Sequence, residues 1–497
     1  MGMRKISLLV AGAAVAALSL AGPAQAQRRD LVIGMALEPP HLDPTAGAAA
    51  AIDEITYQNV FEGLTRIDGE GQIVPGLAER WDVSEDGRTY TFHLRKGVKF
   101  HDGTGFDSAD VKFAFDRARG ADSVNAQKGY FTPIESIETP DPATVVIRLS
   151  KVDGQFLSNM GSGDAVIVAP ESAGGNRQAP VGTGPFRFSR WTPGDRIELV
   201  RNPEFRDAST PKLDKVTFRF IADPAAQMNA LRGGDIDAFP LFGAYESVPL
   251  FQADSQFAVD EGSTEGETIL SFNHRRKPLD DLRVRRAISH ALDRREIIEG
   301  AQFGYGVPIG SFFPPHREGY VDLTGVYPHD VAKAKALLAE AGHASGLRLT
   351  LKLPPPPYAR RGGEIVAAQL AKVGIQVEII PMEWAQWLEQ VFRGNDFDLT
   401  IVSHVEPLDI GIFDRDPYYL GYRNPQFAAV MAELNGTVDP AGRKALYERA
   451  QRILTEDAAA GFLFQLPKIG IRKAGVAGLW KNAPVPANDV TAAFWTR

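Results

Sequence analysis

The sequence predicts an α/β protein made of about three structural units. Its 497 residues exceed one ordinary domain, and 44% of them are hydrophobic, enough for sizeable cores. Strand patterns alternate with helix patterns, most regularly over residues 284–457, which indicates helices layered on parallel strands. Charged residues make up 23% of the chain, an ordinary share for a globular protein.

The first half of the chain is predicted to be rich in strands. Tyr90, Phe92 and Leu94 share one face of an alternating segment, which is typical of a half-buried strand. Its partner is expected to begin at Val98, after a Lys-Gly turn. Asp107 or Ser108 is expected to cap a helix that ends before a glycine. The predicted strands are 31–35, 88–94, 98–100, 144–149, 196–201 and 215–221, and the predicted helices are 48–64, 108–119 and 225–232.

The second half contains the clearest helix patterns. Val284, Ala287, Ile288, Ala291 and Leu292 follow helical spacing, so one apolar face is predicted. The predicted helices are 284–292, 331–341 (capped by Asp330), 364–373 and 443–457, and the predicted strands are 375–379 and 397–402. The proline run at 354–357 is expected to be a rigid loop.

Composition and motifs exclude several classes of function. The formal net charge is −8, whereas a general nucleic-acid-binding protein should be basic. The chain has no cysteine, which excludes disulfides, iron–sulfur clusters, cysteine-ligated zinc and a cysteine nucleophile. The sequence also lacks a P-loop, a G-x-S-x-G elbow and an H-E-x-x-H pair. We therefore expect a protein that is not an enzyme and has no cofactor or metal.

Residues 1–26 have the pattern of a secretory signal peptide. Arg4 and Lys5 precede an apolar stretch, and an A-x-A cleavage signal ends at Ala26. An uncleaved anchor is the alternative, but the apolar stretch is short for a membrane span. Gln27 occupies the position where a lipoprotein would need cysteine. We expect export to a bacterial periplasm without direct membrane insertion.

One long motif and several short ones lead to a family resemblance. Residues 78–103 read Ala-Glu-Arg-Trp-Asp-Val-Ser-Glu-Asp-Gly-Arg-Thr-Tyr-Thr-Phe-His-Leu-Arg-Lys-Gly-Val-Lys-Phe-His-Asp-Gly, and Ser-Ala-Asp-Val follows at 108–111. Further landmarks follow in order at 182–186, 201–203, 233–237, 272–273, 285–288, 334–342 and 374–377. Together they strongly resemble family 5 extracellular solute-binding proteins, the peptide- and nickel-type binding proteins of ABC importers. The resemblance spans nearly the whole chain after residue 26.

This resemblance implies a two-lobed periplasmic binding protein that closes on its ligand like a type II clamp. One lobe of such proteins carries an extra subdomain. The implied division is a signal peptide at 1–26, lobe I at 27–50, 182–266 and 468–497, the extra subdomain of lobe I at 51–181, and lobe II at 267–467.

The resemblance also implies a function. The expected activity is capture of a small solute, with a short peptide ranked first, and delivery to the transmembrane subunits of an ABC permease. Opines, other amino-acid conjugates, small glycans and a nickel or other metal chelate stay open as ligands. A periplasmic hydrolase and a peptide-binding chaperone or sensor are alternatives of other classes. The protein is expected to be a monomer that binds no nucleic acid.

Two places near strand ends are candidate ligand contacts. Glu38 and His41 follow the first strand, where family members place ligand-contacting residues, although both can instead cap a turn. Trp384 matches an aromatic residue that often lines the pocket of peptide-binding relatives. Packing against Trp387 in a core is the alternative for Trp384.

The segment after strand 397–402 carries the remaining candidates. Peptide-binding relatives keep an aspartate here that pairs with the ligand's α-amine, and an ungapped match places Pro407 at that position. Glu406 and Asp409 are the acids that can substitute for it. The other candidates are a chelating or hydrogen-bonding histidine, a carboxylate-binding arginine and two tyrosines, namely His404, Arg415, Tyr418 and Tyr419.

Overall fold

A computed structural model describes residues 28–47 and 49–496. The predicted signal peptide lies outside the described residues. The strands, numbered in chain order, are β1 (Asp30–Met35), β2 (Thr65–Ile67), β3 (Ile73–Pro75), β4 (Ala78–Val83), β5 (Thr89–Leu94), β6 (Ile134–Asp141), β7 (Thr144–Leu149), β8 (Phe186–Thr192), β9 (Arg196–Arg201), β10 (Lys215–Phe220), β11 (Ala238–Phe239), β12 (Phe257–Phe272), β13 (Val307–Pro308), β14 (Leu347–Leu353), β15 (Ile375–Pro381), β16 (Leu399–His404), β17 (Ala460–Lys473), β18 (Val476–Ala477) and β19 (Phe494–Trp495).

Most helices lie in the second half of the chain. They are α1 (Ala50–Thr56), α2 (Ser108–Arg119), α3 (Phe156–Asn159), α4 (Pro224–Gly233), α5 (Val248–Gln252), α6 (Leu282–Ala291), α7 (Arg294–Gln302), α8 (Val331–Glu340), α9 (Pro357–Lys372), α10 (Trp384–Trp387), α11 (Pro425–Asn435) and α12 (Pro440–Glu456). A π-helical turn, Leu388–Arg393, continues α10. Short 3-10 helices are Pro44–Ala46, Lys128–Phe131, Gly163–Ala165, Tyr245–Ser247 and Asp409–Asp414. Among the described residues, no helix combines the length and apolar character needed to cross a membrane.

One large mixed sheet runs through both halves of the molecule. Its strand order is β15-β14-β16-β12-β17-β11-β1-β10-β9-β8, and β13 pairs with β17. β14 is parallel to β15 and β16, as the alternation of helices and strands predicts. β12, however, is antiparallel to both β16 and β17. In the second half of the chain the expectation of parallel strands is therefore correct for β14, β15 and β16. In the first half β1 is parallel to β10 and β11, and the sheet as a whole is mixed.

β12 and β17 are the two long strands that connect the halves. Their pairing is regular from Phe257 to Ser263, and the register shifts between Ser263 and Glu267 and again between Thr268 and Ile269. Such a bulge bends a strand pair and interrupts its ladder. The predicted boundaries at 266/267 and 467/468 lie beside this irregularity, and the division into lobes stays a prediction.

A buried carboxylate links the segment before β1 and the end of β17 to β1. Asp237 accepts hydrogen bonds from both terminal nitrogens of Arg28, at 2.8 and 2.7 Å, and from Lys473 Nζ at 2.8 Å. It also accepts the backbone N–H of Val32 in β1. Because the carboxylate is buried, these charged partners compensate its loss of hydration.

The region between β1 and β8 forms a separate small sheet. β4, β5, β7 and β6 are hydrogen-bonded in that order, and α2 packs against β6 and β7. Asp107 caps α2, and Asp110 bonds back to complete a capping box, which confirms the predicted helix start. The prediction that Val98 begins the partner of β5 is wrong, because β5 already pairs with β4 on one edge and β7 on the other.

Two helices differ in length from their predictions. α1 is shorter than the predicted 48–64, because Tyr57 is extended and Gln58 has a φ of 63°. α9 begins at Pro357, inside the run predicted to be a loop, since proline is tolerated in the first turn of a helix. A Cβ on Gly363 would lie 2.3 Å from Leu353 Cδ1, so the close packing of α9 on β14 favours glycine at this position.

Candidate functional site

A cleft of about 520 Å³ lies between the small sheet region and the end of β16. Gln127, Tyr130 and Gln155 line one wall, and residues 402–409 with the turn that follows line the other. β16 is a buried strand at the centre of the second half, parallel to β14. Ligands of α/β proteins commonly bind beyond the carboxyl ends of such strands. The cleft is therefore the candidate binding site.

His404, the last residue of β16, is fixed by a chain of hydrogen bonds. Its Nε2 lies 2.9 Å from the Tyr419 hydroxyl, which lies 3.1 Å from Ser271 Oγ. The residue is only 8% exposed, and burial lowers the pKa of the imidazole to about 4. At neutral pH, therefore, His404 is an uncharged imidazole that lines the cleft.

Two acids beside His404, Asp409 and Glu267, are buried, and neither forms an ion pair with a lysine or arginine among the described residues. The Asp409 side chain is 7% exposed, and its Oδ1 has no hydrogen-bond partner among residues 28–47 and 49–496. Burial and the neighbouring Glu406 raise the pKa of Asp409 well above its usual range. Glu267, opposite His404 in the strand pair, is 2% exposed, and burial followed by Asp409 raises its pKa as well. An added positive charge here would relieve unfavourable burial of negative charge.

Three donor groups at this place also meet the spacing of a metal site. One ligand atom each from His404, Glu406 and Asp409 lies within 4.8 Å of the others. His404 Nδ1 is 3.9 Å from Asp409 Oδ2. An imidazole with two carboxylates is a ligand set that suits borderline divalent metals such as zinc or nickel. The group can therefore hold either an ammonium or a divalent cation.

Aromatic rings form the apolar side of the cleft. Trp387 stacks on Phe392 with ring centroids 6.1 Å apart, and Phe392 meets the Tyr418 ring edge-on at 5.6 Å. The guanidinium carbon of Arg415 lies 5.7 Å from the Tyr418 ring centre. Among the described residues, no ion pair with a carboxylate engages Arg415. The cleft thus presents acids, apolar rings and one exposed cation to a ligand.

A second, smaller chamber of about 190 Å³ continues the cleft towards the first half of the chain. It shares Gln127, Tyr130, Gln155 and Glu406 with the cleft. Two acids of the small sheet region, Asp53 and Asp164, line it as well. The site is therefore acidic on both sides.

The structure brings five of the nine candidate residues into the cleft lining. These are His404, Glu406, Asp409, Arg415 and Tyr418. Tyr419 lies behind the cleft wall, and its hydroxyl is hydrogen-bonded to His404.

Three candidates lie outside this lining. Glu38 accepts hydrogen bonds from Trp191 Nε1 and the Gly194 N–H. His41 accepts a hydrogen bond from the N–H of Asp43. Glu38 and His41 thus make contacts with turns of the protein, which was the alternative to ligand contact. Trp384 packs edge-on against Trp387, whose ring is the one that reaches the cleft.

Sequence analysis missed the residues of the opposite wall. Gln127, Tyr130 and Gln155 lie in turns and short helices, with no periodic pattern that marks them. Asp53 and Asp164 are single acids without a recognisable motif. They line the site only because the fold places their segments beside the end of β16, which lies far later in the chain.

Comparison with known proteins identifies the family. Residues 72–424 match the profile of bacterial extracellular solute-binding proteins, family 5 (middle region). The chain belongs to this family. Di/tripeptide-binding protein 4 of Pseudomonas aeruginosa (strain UCBPP-PA14) is 33% identical over 488 residues, covering 89% of this chain and 90% of that protein.

Solved structures show the same fold. The ABC transporter-associated periplasmic binding protein DppA of Helicobacter pylori, in complex with the peptide STSA, has a TM-score of 0.81 at 26% identity, covering 95% of this chain and 99% of that chain. The periplasmic binding protein AgaA of A. tumefaciens R10, in complex with agropinic acid, has a TM-score of 0.79 at 27% identity, covering 94% and 99%. The resemblance and the two-lobed family 5 fold are thereby confirmed.

Proposed function

We propose that this family 5 protein binds a short peptide in the cleft and holds its α-ammonium between Asp409 and Glu406. The observation that carries the proposal is the buried Asp409 carboxyl, whose Oδ1 has no partner at the cleft wall. A buried polar atom without a partner is unfavourable, and an ammonium donor would satisfy it. Charge-assisted hydrogen bonds of this kind are also the stronger ones.

The rest of the cleft suits the other parts of a peptide. Arg415 is exposed and available for the ligand's carboxylate. Trp387, Phe392 and Tyr418 offer rings against which varied side chains can pack. Relatives named for dipeptides, di/tripeptides and glutathione support this ligand class.

The proposal extends to transport. The chain would be exported through its signal peptide, collect the peptide in the periplasm and deliver it to the transmembrane subunits of an ABC permease, without chemical turnover. Family 5 relatives are periplasmic substrate-binding proteins, which supports this order of events.

A metal chelate is the second candidate ligand. The spacing of His404, Glu406 and Asp409 favours it, and a relative of known structure was solved with Ni(L-His). A metal would use the His404 Nδ1 lone pair, whereas an ammonium would not require it. Substitution of His404 by glutamine therefore separates the two candidates.

The experiment begins with protein unfolded and refolded to remove any retained ligand. A thermal-shift screen compares dipeptides, tripeptides, opines and nickel with histidine. A ligand at 100 times its dissociation constant adds about 2.7 kcal/mol of stability. The expected result is a rise with peptides, and a rise with nickel–histidine alone would replace the peptide proposal.

Substitutions then test the anchor. Glu406→Gln with Asp409→Asn is expected to weaken peptide binding by roughly tenfold or more, because a hydrogen bond to a charged group contributes about 1.5–3 kcal/mol. The matched control is Glu340→Gln with Glu364→Gln, which removes two exposed acids of the same half. Equal affinity of both double variants in titration calorimetry would remove these acids from the site.

A further inference from the structure

The smaller chamber has a chemical character of its own. Its wall includes the acids Asp53, Asp164 and Glu406. Its other polar lining residues are uncharged, namely Gln127, Tyr130, Gln155, Ser158, Asn159 and Ser162. The described residues that line this chamber include no lysine, arginine or histidine. Three carboxyl groups therefore line this space, and none of its described lining residues supplies a balancing cation.

Asp53 and Asp164, the two acids on the side of the small sheet region, meet at one backbone turn. Asp53 lies on α1, and its Oδ1 is shielded from solvent and has no hydrogen-bond partner in the part of the chain that the structure describes. A Cβ on Gly163 would lie 2.5 Å from that oxygen, so only glycine leaves room for the carboxylate. The adjacent Asp164 belongs to the 3-10 helix Gly163–Ala165. The turn thus packs against Asp53 and places Asp164 in the wall of the chamber.

Burial disfavours the ionised form of both carboxyl groups. Burial raises the pKa of Asp164 to about 7. Burial, followed by the charge of Asp164, raises the pKa of Asp53 well above its usual range. Neither acid takes part in an ion pair among the described residues. A cation in the chamber would stabilise both carboxylates.

Tyr130 shows that this chamber and the ammonium site are close together. Its side chain lines both spaces, with Asp164 on its own side and Glu406 and Asp409 on the opposite wall. Burial and these three acids together raise the pKa of the Tyr130 phenol to about 12. Glu406 lines both spaces. A ligand whose first ammonium meets Asp409 can therefore place a second group in the chamber.

We propose that the ligand carries two cationic centres and that Asp53 and Asp164 bind the second, the ammonium of a lysine- or ornithine-type side chain. The inference rests on the proposed function, which supplies the site of the first ammonium. The uncharged amides and hydroxyls of the chamber accept the remaining ammonium hydrogens. The protein is thus selective for basic short peptides.

The experiment compares two peptides that differ only at the side-chain terminus. Lys-Ala carries the second ammonium, and norleucine-Ala keeps the aliphatic chain without it. In titration calorimetry at pH 8, the unsubstituted protein is expected to bind Lys-Ala about tenfold or more tightly than norleucine-Ala. Asp164→Asn should reduce this ratio severalfold, whereas Asp122→Asn, a substitution of an exposed acid of the same region, should preserve it.

The outcomes separate this inference from the proposed function. Equal binding of both peptides by the unsubstituted protein overturns the second cationic site and leaves the peptide proposal standing. A ratio that Asp164→Asn leaves unchanged also overturns it. Failure of both peptides to bind overturns both proposals. Calcium chloride is titrated as a further arm, and calcium binding at micromolar affinity that Asp164→Asn abolishes would assign the acids to a metal instead.

Discussion

Replacing Asp164 by asparagine should stabilise the ligand-free protein, and the gain should depend on pH. Burial raises the pKa of this carboxyl from 3.8 to about 7, whereas the unfolded chain keeps the ordinary value. The folded protein therefore disfavours the ionised form. The resulting loss of folding free energy is absent below about pH 4, grows as the pH rises and is complete above about pH 7.

The size of the effect follows from the shift. One pKa unit corresponds to about 1.36 kcal/mol, so the penalty is about 2 kcal/mol at pH 5 and about 4 kcal/mol at pH 8. Asparagine imitates the protonated acid and carries no penalty. These values are upper bounds because the chamber relaxes when the acid ionises.

Urea unfolding at pH 5 and pH 8 measures the effect. Asp164→Asn should raise the free energy of unfolding at both values, and by about 2 kcal/mol more at pH 8. Asp122→Asn should change it by less than about 0.5 kcal/mol at either pH. Equal gains of Asp164→Asn at the two pH values, or a loss at pH 8, would refute the argument from burial.

Two further substitutions test the packing between the halves of the molecule. Glu265, which is 1% exposed, accepts hydrogen bonds from Arg317 Nε at 3.0 Å and from His316 Nε2 at 2.9 Å, so Glu265→Gln should reduce the free energy of unfolding by about 3–5 kcal/mol in urea. A loss below about 1 kcal/mol, the range of an exposed pair, would show that this buried carboxylate is not needed. Gly262→Ala would place its Cβ 1.9 Å from the carbonyl oxygen of Lys481 and should lower stability by about 1–3 kcal/mol, whereas Gly325→Ala meets open space. Equal melting temperatures of the two alanine variants would contradict the close contact.

Local patterns predicted those elements whose signals are local. A capping residue at 107 or 108 and the glycine after Arg119 are local signals, and the predicted helix 108–119 agrees with α2. Alternation predicted β7 exactly, since one of its faces is buried. The same alternation does not say which strands pair. It therefore gave Val98 as the start of a partner strand, although tertiary packing assigns both edges of β5 to others.

The residues of the candidate site likewise divide into those that a local pattern predicts and those that it does not. His404, Glu406 and Asp409 follow a recognisable buried strand within a few residues, so sequence and family resemblance predict them together. Asp53 and Asp164 reach the chamber only because Gly163 leaves space for a carboxylate, which no pattern in the sequence expresses. Contacts between distant segments depend on how the lobes are arranged rather than on periodicity.

The ammonium anchor is tested most directly by changing the ligand instead of the protein. Titration calorimetry compares Ala-Phe with N-acetyl-Ala-Phe, which keeps the rings and the carboxylate but has no α-ammonium. Because Asp409 and Glu406 are proposed to hold that charge, acetylation should weaken binding roughly tenfold to a hundredfold or more. Equal affinity of the two peptides would contradict the central claim and move the recognition of the peptide to Arg415 and the aromatic wall.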